Sequence, residues 1–262
     1  MEISKMPVIF VGHGSPLSAI EDDEFAEAWK ALGAKLPKPR AILAISAHFY
    51  TNGTYVTVNS KSDLIYDFYG FPEALYQVKY PTLGDPVLAE EIAQLIPSAI
   101  KVKRGLDHGV WAPLKWIFPN ADIPVVSLSI DGNLTPAQHF ALGQKLARLR
   151  EEGILIFCSG DVVHNLGRLD WDKPDGFDYA DAFDNYIKNA ILSKDYDAVV
   201  HYERAGSCAK LAFPTPEHFL PLLYALGSLK PSDTATLFNE RRIYGSLSMT
   251  GYCFASAQDK VK

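Results

Sequence analysis

Four almost entirely apolar stretches constrain the fold of this 262-residue chain more than any other feature. They cover residues 8–11, 41–47, 125–130 and 154–158, and Gly or Pro lies close to each of them. Short apolar runs of this kind, rich in Val and Ile, are typical of strands that are buried on both faces. We therefore expect a sheet whose central strands are covered on both sides.

Segments with helical spacing alternate with these strands. They cover residues 22–32, 85–95, 111–117, 135–150, 181–192 and 216–226. In the first, Phe25, Trp29 and Leu32 recur at i, i+4 and i+7, and in the fourth Thr135 precedes Pro136 as a helix cap precedes proline at the first helical position. The alternation predicts an α/β fold with a central, mostly parallel sheet and helices on both faces.

The last part of the chain has a different pattern. Residues 237–254 contain few helix signals and alternate in "RIYGSLSMTGYCF", which predicts antiparallel strands that close one edge of the sheet. The sheet is then mixed. We find no internal repeat and no linker, so we expect residues 1–262 to form a single domain.

Composition excludes several classes of protein. A net charge of −6 argues against a nucleic-acid partner, which requires a clustered basic surface. No stretch approaches the roughly 18 continuous apolar residues of a membrane span, and the first residues lead directly into an apolar run, so we expect no membrane association and no secretory signal. Cys158, Cys208 and Cys253 are odd in number and widely spaced, which indicates neither disulfides nor a zinc knuckle and fits a cytoplasmic protein.

Five of the seven histidines lie beside Gly, Ser or Pro at the ends of predicted elements. His13, His48 and His164 lie at or just past strand ends, and His108 and His218 lie at helix starts. Ligands of open α/β sheets bind beyond the carboxyl ends of the strands, so we expect these imidazoles to converge there. Neutral imidazole is the commonest metal ligand and also acts as an acid or base near neutral pH.

A histidine in such a turn is often only a turn residue, a cap or a core residue, and this interpretation stays open for some of the five. No HExxH or other local ligand pair occurs, so a metal site must be assembled from distant segments. His139 lies within a predicted helix and His201 ends "DAVVH", and we expect both to be ordinary surface or satisfied histidines.

Five motifs occur in an order that resembles the class III extradiol ring-cleaving dioxygenases, and most closely their 4,5-DOPA dioxygenase extradiol group. They are "VGHGSP", "ISAHF", "DHGVWAPL", "SGDVVHN" and "PTPEHFLPLL", and they span nearly the whole chain. The resemblance implies a catalytic domain that uses Fe(II) and O2 to open a catechol such as L-DOPA beside its diol, inserting both oxygen atoms.

The resemblance also implies roles for the five histidines. His13 and His48 match the first two metal ligands, and His218 occupies the position of the third. His164 matches the acid/base beside the metal. His108 matches the second active-site histidine, which orients substrate and oxygen and is expected to donate a hydrogen bond to the developing oxyanion.

The third ligand departs from the better-known protocatechuate-type members, which use glutamate there. Adjacent side chains at a helix start point about 100° apart, so only one of Glu217 and His218 can face the metal, and we expect His218. Three neutral ligands leave the site one charge more positive than two histidines and a glutamate would. They also make it similar to a three-histidine catalytic zinc site. Zn(II) is therefore expected to bind during purification, with His164 as a possible fourth ligand.

A Gly- and Pro-broken segment rich in aromatic residues follows the second strand. It contains Phe68, Tyr69, Phe71, Tyr76 and Tyr80. It is either a packed surface loop or an aromatic wall over a ring-shaped substrate. Tyr252 is a further candidate for the pocket, and Arg241 and Arg242 are candidates for a substrate carboxylate unless they form surface ion pairs.

Two other functions compete with ring cleavage. The same three histidines could hold Zn²⁺ and a hydroxide nucleophile in a hydrolase, or the scaffold could be a non-catalytic binding protein. The presence of both His108 and His164 beside the three proposed ligands favours catalysis.

Overall fold

The four apolar runs form the centre of one eight-stranded sheet. A computed structural model describes residues 5–256 of the chain. Its strands are β1 (Val8–Gly12), β2 (Ala41–Thr51), β3 (Tyr55–Thr57), β4 (Ile100–Val102), β5 (Val125–Asp131), β6 (Ile154–Gly160), β7 (Thr234–Phe238), β8 (Arg242–Ile243), β9 (Leu247–Ser248) and β10 (Gly251–Ala255).

Helices alternate with the central strands. The α-helices are α1 (Glu24–Lys35), α2 (Glu73–Tyr76), α3 (Pro86–Leu95), α4 (His108–Ile117), α5 (Pro136–Leu146), α6 (Asp178–Leu192), α7 (Tyr196–Val200), α8 (Ser207–Ala212) and α9 (Leu220–Gly227). Short 3₁₀ helices cover Pro16–Ala19, Ala147–Glu152, Leu166–Arg168, Tyr202–Ala205 and Pro216–His218.

The large sheet is mixed, with a parallel centre. Its strand order is β4-β3-β5-β2-β6-β1-β10-β7. The central strands β5, β2, β6 and β1 pair in parallel, whereas β10 is antiparallel to β1 and β7 is antiparallel to β10. At the other end β3 is antiparallel to β5 and parallel to β4. The antiparallel closing strands predicted for the C-terminal part are thus confirmed for β7 and β10, while β8 and β9 form a separate two-stranded sheet.

Helices cover both faces because side chains alternate along each strand. In β1, Ile9 and Val11 face a core that includes Trp29 of α1 and Trp111 of α4. Phe10 faces the opposite core, which is formed with α3, α5, α6 and α9. The predicted α/β class, with a mostly parallel mixed sheet between two helical layers, is confirmed.

Several helix limits differ from the sequence prediction for local reasons. The first helix begins at Glu24 rather than at residue 22 because the Asp23 carboxylate accepts from the N–H groups of Phe25 and Ala26. The segment 216–226 is a 3₁₀ turn followed by α9 rather than one helix. Helix α5 likewise gives way to a 3₁₀ turn after Leu146.

Helix α4 begins at His108, which the sequence places at a helix start, and the apolar stretch 111–117 forms the rest of the helix. Asp107 occupies its N-cap position, but no side-chain capping bond forms there. Its carboxylate accepts instead from the Ser46 hydroxyl at 2.6 Å and from Arg104 at 2.8 Å. None of the helices within residues 5–256 is both long and apolar enough to span a membrane.

Candidate metal centre

Five histidines meet at the carboxyl edge of the parallel strands, as the sequence predicts for that edge. His13 follows β1, His48 lies in β2, His108 begins α4, His164 follows β6 and His218 ends the 3₁₀ turn before α9. All five line one cavity of about 400 Å³. This convergence depends on the sheet, because the residues lie as much as 205 positions apart in the chain (218 minus 13).

Two of these positions differ from the prediction. His48 lies inside β2 rather than at its end, because the register of β2 against β5 shifts between Ile45 and Tyr50 and the strand then continues to Thr51. Such an irregularity re-aims side chains next to a site. His218 lies at the end of its short turn rather than at a helix start, and a Cβ at Gly160 would lie 2.0 Å from the His218 carbonyl oxygen. Glycine at the end of β6 therefore permits the close approach of the His218 segment.

The rings of His13, His48 and His218 enclose a common point. The Nε2 atoms of His13 and His48 are 3.1 Å apart. The ring centroid of His218 lies 5.4 Å from that of His13 and 5.1 Å from that of His48. One nitrogen from each ring lies within 4.8 Å of the others. Two ligands of one ion, each about 2.1 Å from it, lie at most about 4.2 Å apart, so the spacing of His13 and His48 suits a shared ion.

Hydrogen bonds fix the tautomer of His13. Its Nδ1 lies 3.0 Å from the hydroxyl oxygen of Ser159, and that hydroxyl lies 2.5 Å from the carbonyl oxygen of Gly109. Because Ser159 has a single proton and donates it to the carbonyl, Nδ1 of His13 must be the donor in the other bond. The Nε2 atom of His13 therefore carries a lone pair that points into the site.

The same reasoning applies to His48 and His218. Nδ1 of His48 lies 3.1 Å from a carboxylate oxygen of Asp67, and Nδ1 of His218 lies 3.1 Å from one of Glu217. A carboxylate only accepts, so both rings hold their proton on Nδ1 and present Nε2 as a free base. Glu217 therefore contacts the His218 ring on the side away from the proposed ion.

This donor set fits a divalent metal ion. Within residues 5–256, Nε2 of His218 is buried without a hydrogen-bond partner. The Nε2 lone pairs of His13 and His48 face each other at 3.1 Å with no proton between them. Burial, reinforced by the neighbouring histidines, lowers the pKa of His13 and of His218 well below the usual value, so both rings are neutral at pH 7. Neutral imidazoles suit either iron or zinc.

Asp67 links His48 to His108. One carboxylate oxygen accepts from Nδ1 of His108 at 2.8 Å and the other from Nδ1 of His48 at 3.1 Å. Although burial acts to raise the pKa of Asp67, these bonds hold it well below its usual range. Burial lowers the pKa of His108 despite the carboxylate. The neutral His108 ring therefore presents an acceptor, not a donor, on its Nε2 side.

His164 stacks on the ring of His218. The two ring centroids are 3.4 Å apart and the planes differ by 6°. The backbone N–H of His164 donates to the carbonyl oxygen of Ala212 at 2.9 Å, which fixes the segment. Burial lowers the pKa of His164 to about 4. At neutral pH the ring is therefore unprotonated and able to accept a proton.

Asp161 is a buried carboxylate beside this cluster that the sequence patterns did not single out. One oxygen accepts from the backbone N–H of Gly14 at 3.0 Å, and the other lies 3.9 Å from Nε2 of His13. Gly14 has φ +59°, a left-handed conformation that favours glycine. Burial raises the pKa of Asp161 well above its usual value.

Aromatic and aliphatic side chains form the remaining walls of the cavity. Phe68, Tyr69 and Phe71 line it, in agreement with the aromatic-wall interpretation. Tyr76 instead packs behind Phe68, with ring centroids 5.2 Å apart, and the Tyr80 hydroxyl donates to a backbone carbonyl in the core. The wall is completed by Pro16, Leu166, Leu169, Trp171 and Leu247.

The other candidates lie outside the cavity. Tyr252 is fully buried in β10 and is not among the lining residues. Arg241 pairs with Glu24, and Arg242 pairs with Asp181 at 2.7 Å. These ion pairs agree with the competing interpretation, and Arg242 also lies 3.5 Å from the buried carboxylate of Asp184. Among the lining residues of the described chain, Asp67 is the one carboxylate and no Lys or Arg occurs.

The two remaining histidines are remote from the site. His139 is fully buried rather than exposed, and its Nδ1 lies 3.0 Å from the Tyr224 hydroxyl. Burial lowers its pKa to about 4. His201 is partly exposed beside Asp197 and Glu203, as expected for a surface histidine.

Comparisons with known proteins agree with this architecture. Residues 7–255 match the family described as the catalytic LigB subunit of aromatic ring-opening dioxygenase. Two similar proteins are both named 4,5-DOPA dioxygenase extradiol. One, from Escherichia coli strain K12, is 41% identical over 95% of this chain and 94% of its own length. The other, from Beta vulgaris, is 40% identical over 94% of this chain and 96% of its own length.

A solved structure extends the similarity to three dimensions. The crystal structure of an uncharacterized Escherichia coli K12 protein has a TM-score of 0.83 and 39% identity, covering 95% of this chain and 99% of that one. Sequence match, fold and near-complete coverage agree with the resemblance carried by the five histidine motifs. The chain belongs to the LigB family of aromatic ring-opening dioxygenases, in the class III extradiol group.

Proposed function

We propose that this protein is an Fe(II)-dependent extradiol dioxygenase that cleaves a catechol, such as L-DOPA, beside its diol and inserts both atoms of O2. The observation that carries the proposal is the convergence of one ring nitrogen each from His13, His48 and His218, within 4.8 Å of one another, in residues that line one cavity. The names of the two relatives support the substrate class.

Fe(II) held by these three histidines would bring the two catechol oxygens and O2 together and pass electrons from one to the other. The chain's own residues then control protons and orientation. His164, neutral at pH 7 because its pKa is about 4, takes a proton from a catechol hydroxyl. Loss of that proton makes the ring electron-rich enough to react with O2.

His108 acts on the other side of the cavity. Its Nδ1–H is donated to Asp67, so its Nε2 first accepts a hydrogen bond from the substrate. When the substrate hydroxyl gives its proton to Nε2, Nε2 becomes a donor for a developing oxyanion, and the Asp67 carboxylate stabilises the resulting imidazolium. This order differs from the donor role that the resemblance implies for His108.

Aromatic walls complete the site. The rings of Phe68 and His108 lie 5.6 Å apart at 82°, and Phe71 packs edge-on against Phe68 at 5.5 Å. This apolar surface would hold a flat ring against the imidazoles and exclude water from the reacting oxygens.

Anaerobic reconstitution tests the proposal. Metal-free protein is loaded with Fe(II) or with Zn²⁺ and then mixed with L-DOPA or 4-methylcatechol and oxygen. We expect oxygen uptake and a yellow semialdehyde product only in the iron sample. Hydrolysis of an added ester by the zinc sample would instead identify a hydrolase. No reaction in either sample would favour a binding protein.

Two variants test the assignment of roles. His218→Ala should lose most of the metal affinity, whereas His164→Ala should retain Fe(II) and lose about 10²- to 10⁴-fold in turnover. His201→Ala, on the surface, is the matched control and should change neither quantity. Equal metal retention in His218→Ala and His164→Ala would show that the ligands are wrongly assigned.

A further inference from the structure

Asp161 ties together the segments that carry two of the three proposed ligands. It follows β6 directly, and its side chain is completely buried. Its backbone N–H donates to the carbonyl oxygen of His218 at 2.9 Å, and its Oδ1 accepts from the N–H of Gly14 at 3.0 Å. The carboxylate is thus held between the His13 turn and the His218 turn.

The second carboxylate oxygen has no hydrogen-bond partner in the described part of the chain. Oδ2 is buried and lies 3.9 Å from Nε2 of His13. An oxygen of Asp161 also lies within 4.8 Å of ring nitrogens of His164 and His218. Since Nε2 of His13 carries a lone pair, it cannot donate to this oxygen. A buried, ionised carboxylate oxygen that faces only lone pairs is costly, and either a proton, which burial favours in the metal-free protein by raising the pKa of Asp161, or a cation among the lone pairs relieves that cost.

The charge of the proposed site leads to the same conclusion. Three neutral imidazoles around a divalent ion leave two positive charges in a buried cavity. The two-histidine, one-carboxylate arrangement common in non-haem Fe(II) oxygenases leaves one. An ionised Asp161 would restore that balance while His218 keeps the third ligand position.

We propose that Asp161 is a positioning residue for the metal: its carboxylate supplies the negative charge that stabilises the ion held by His13, His48 and His218. The inference rests on the metal site of the proposed function. A purely structural explanation competes with it, since Oδ1 alone would hold the Gly14 turn. Asparagine keeps that acceptor and removes the charge, so it separates the two explanations.

The test measures metal affinity without turnover. Wild type, Asp161→Asn and Asp131→Asn are titrated with Zn²⁺ against a chromophoric chelator, and with Co²⁺ by visible absorption. Asp131 is the matched control, because it also accepts from a glycine N–H at 3.0 Å, that of Gly53, but is not part of the cluster of potential ligands that Asp161 forms with His164 and His218. Thermal unfolding of the metal-free proteins reports whether the fold is retained.

We expect Asp161→Asn to bind Zn²⁺ about 10- to 100-fold more weakly than wild type, the usual effect of losing a supporting group around a metal. Its metal-free unfolding midpoint should stay close to that of wild type, and Asp131→Asn should keep wild-type affinity. Asp161→Glu, which keeps the charge, should lose less affinity than Asp161→Asn. Equal affinity of wild type and Asp161→Asn would overturn the inference.

Failure of the metal site itself gives a different result. If wild type binds neither Zn²⁺ nor Co²⁺, the proposed function is wrong and the inference is lost with it. If Asp161→Asn does not fold, a crystal structure of Zn²⁺-loaded wild type decides. An Asp161 oxygen that faces the ion supports the inference, and one turned away onto another protein donor refutes it.

Discussion

Replacing Asp67 by asparagine should disturb the proposed metal ligand His48, although Asp67 is not itself a proposed ligand. The carboxylate accepts from Nδ1 of His48 at 3.1 Å and from Nδ1 of His108 at 2.8 Å. An amide offers one oxygen and one NH2 group, so it can accept from only one of the two rings. The other ring then meets a donor and is driven to the opposite tautomer. If that ring is His48, its Nε2 becomes protonated and cannot bind the ion.

The size of the effect follows from the bonds that are lost. A hydrogen bond to a charged group contributes about 1.5–3 kcal/mol. Groups that orient metal-bound histidines typically change metal affinity 10- to 100-fold, which corresponds to about 1.4–2.7 kcal/mol. The two ranges agree, so we expect Asp67→Asn to weaken Zn²⁺ binding by 10- to 100-fold.

Chelator competition at constant pH measures the change. Asp63→Asn, four residues earlier in the same segment and exposed, removes the same charge without touching the histidines and should leave the affinity unchanged. If Asp67→Asn bound Zn²⁺ within twofold of wild type, the tautomer argument would be refuted for His48.

Three further predictions concern stability and substrate charge. Burial lowers the pKa of His139 to about 4 from an ordinary 6.5, so the unfolded chain binds the extra proton first as pH falls. In urea unfolding of the metal-free protein between pH 6.5 and 4, wild type should lose about 3 kcal/mol more than His139→Gln and the same amount as His201→Gln. Arg150 is fully buried with Nη1 2.6 Å from Asp233, so Arg150→Met should lower the free energy of unfolding by about 3–5 kcal/mol, and a loss below about 1 kcal/mol would contradict this. Among the described lining residues, Asp67 is the one carboxylate and no Lys or Arg occurs, so the cavity should repel an anionic side chain of the substrate. The KM for 3,4-dihydroxyphenylacetate should therefore be several-fold higher than the KM for dopamine or 4-methylcatechol. The reverse order of KM values would contradict a role of the cavity's charge in binding.

The centre of the fold could be predicted because burial leaves a strong pattern. Strands β1, β2, β5 and β6 are covered on both faces, which requires continuous apolar runs. Strands β3 and β4 have three residues each, and β4 is largely exposed, so its sequence Ile-Lys-Val carries no such requirement. The start of α4 at His108 was predictable from the sequence, whereas the binding of Asp107 to Ser46 was not, because Ser46 lies far away in the chain.

The site was only partly predictable for a related reason. The five histidines stand beside Gly, Ser or Pro at the ends of elements, and that local setting revealed them. Asp67, Ser159 and Asp161 were not found, because each acts through contacts with residues far away in the chain. Asp67 lies in a segment noted only for its aromatic residues. Ion pairs were the alternative expected for Arg241 and Arg242 and are present, although the sequence does not identify their partners.

The order of the histidines along the chain has a consequence for biosynthesis. His13 and His48 leave the ribosome before His218, which lies 205 residues after His13 in the chain. Until His218 has emerged, a nascent chain cannot present all three proposed ligands, so the proposed ion would be incorporated only after that point. The metal acquired would then depend on the ions available around the chain at that stage.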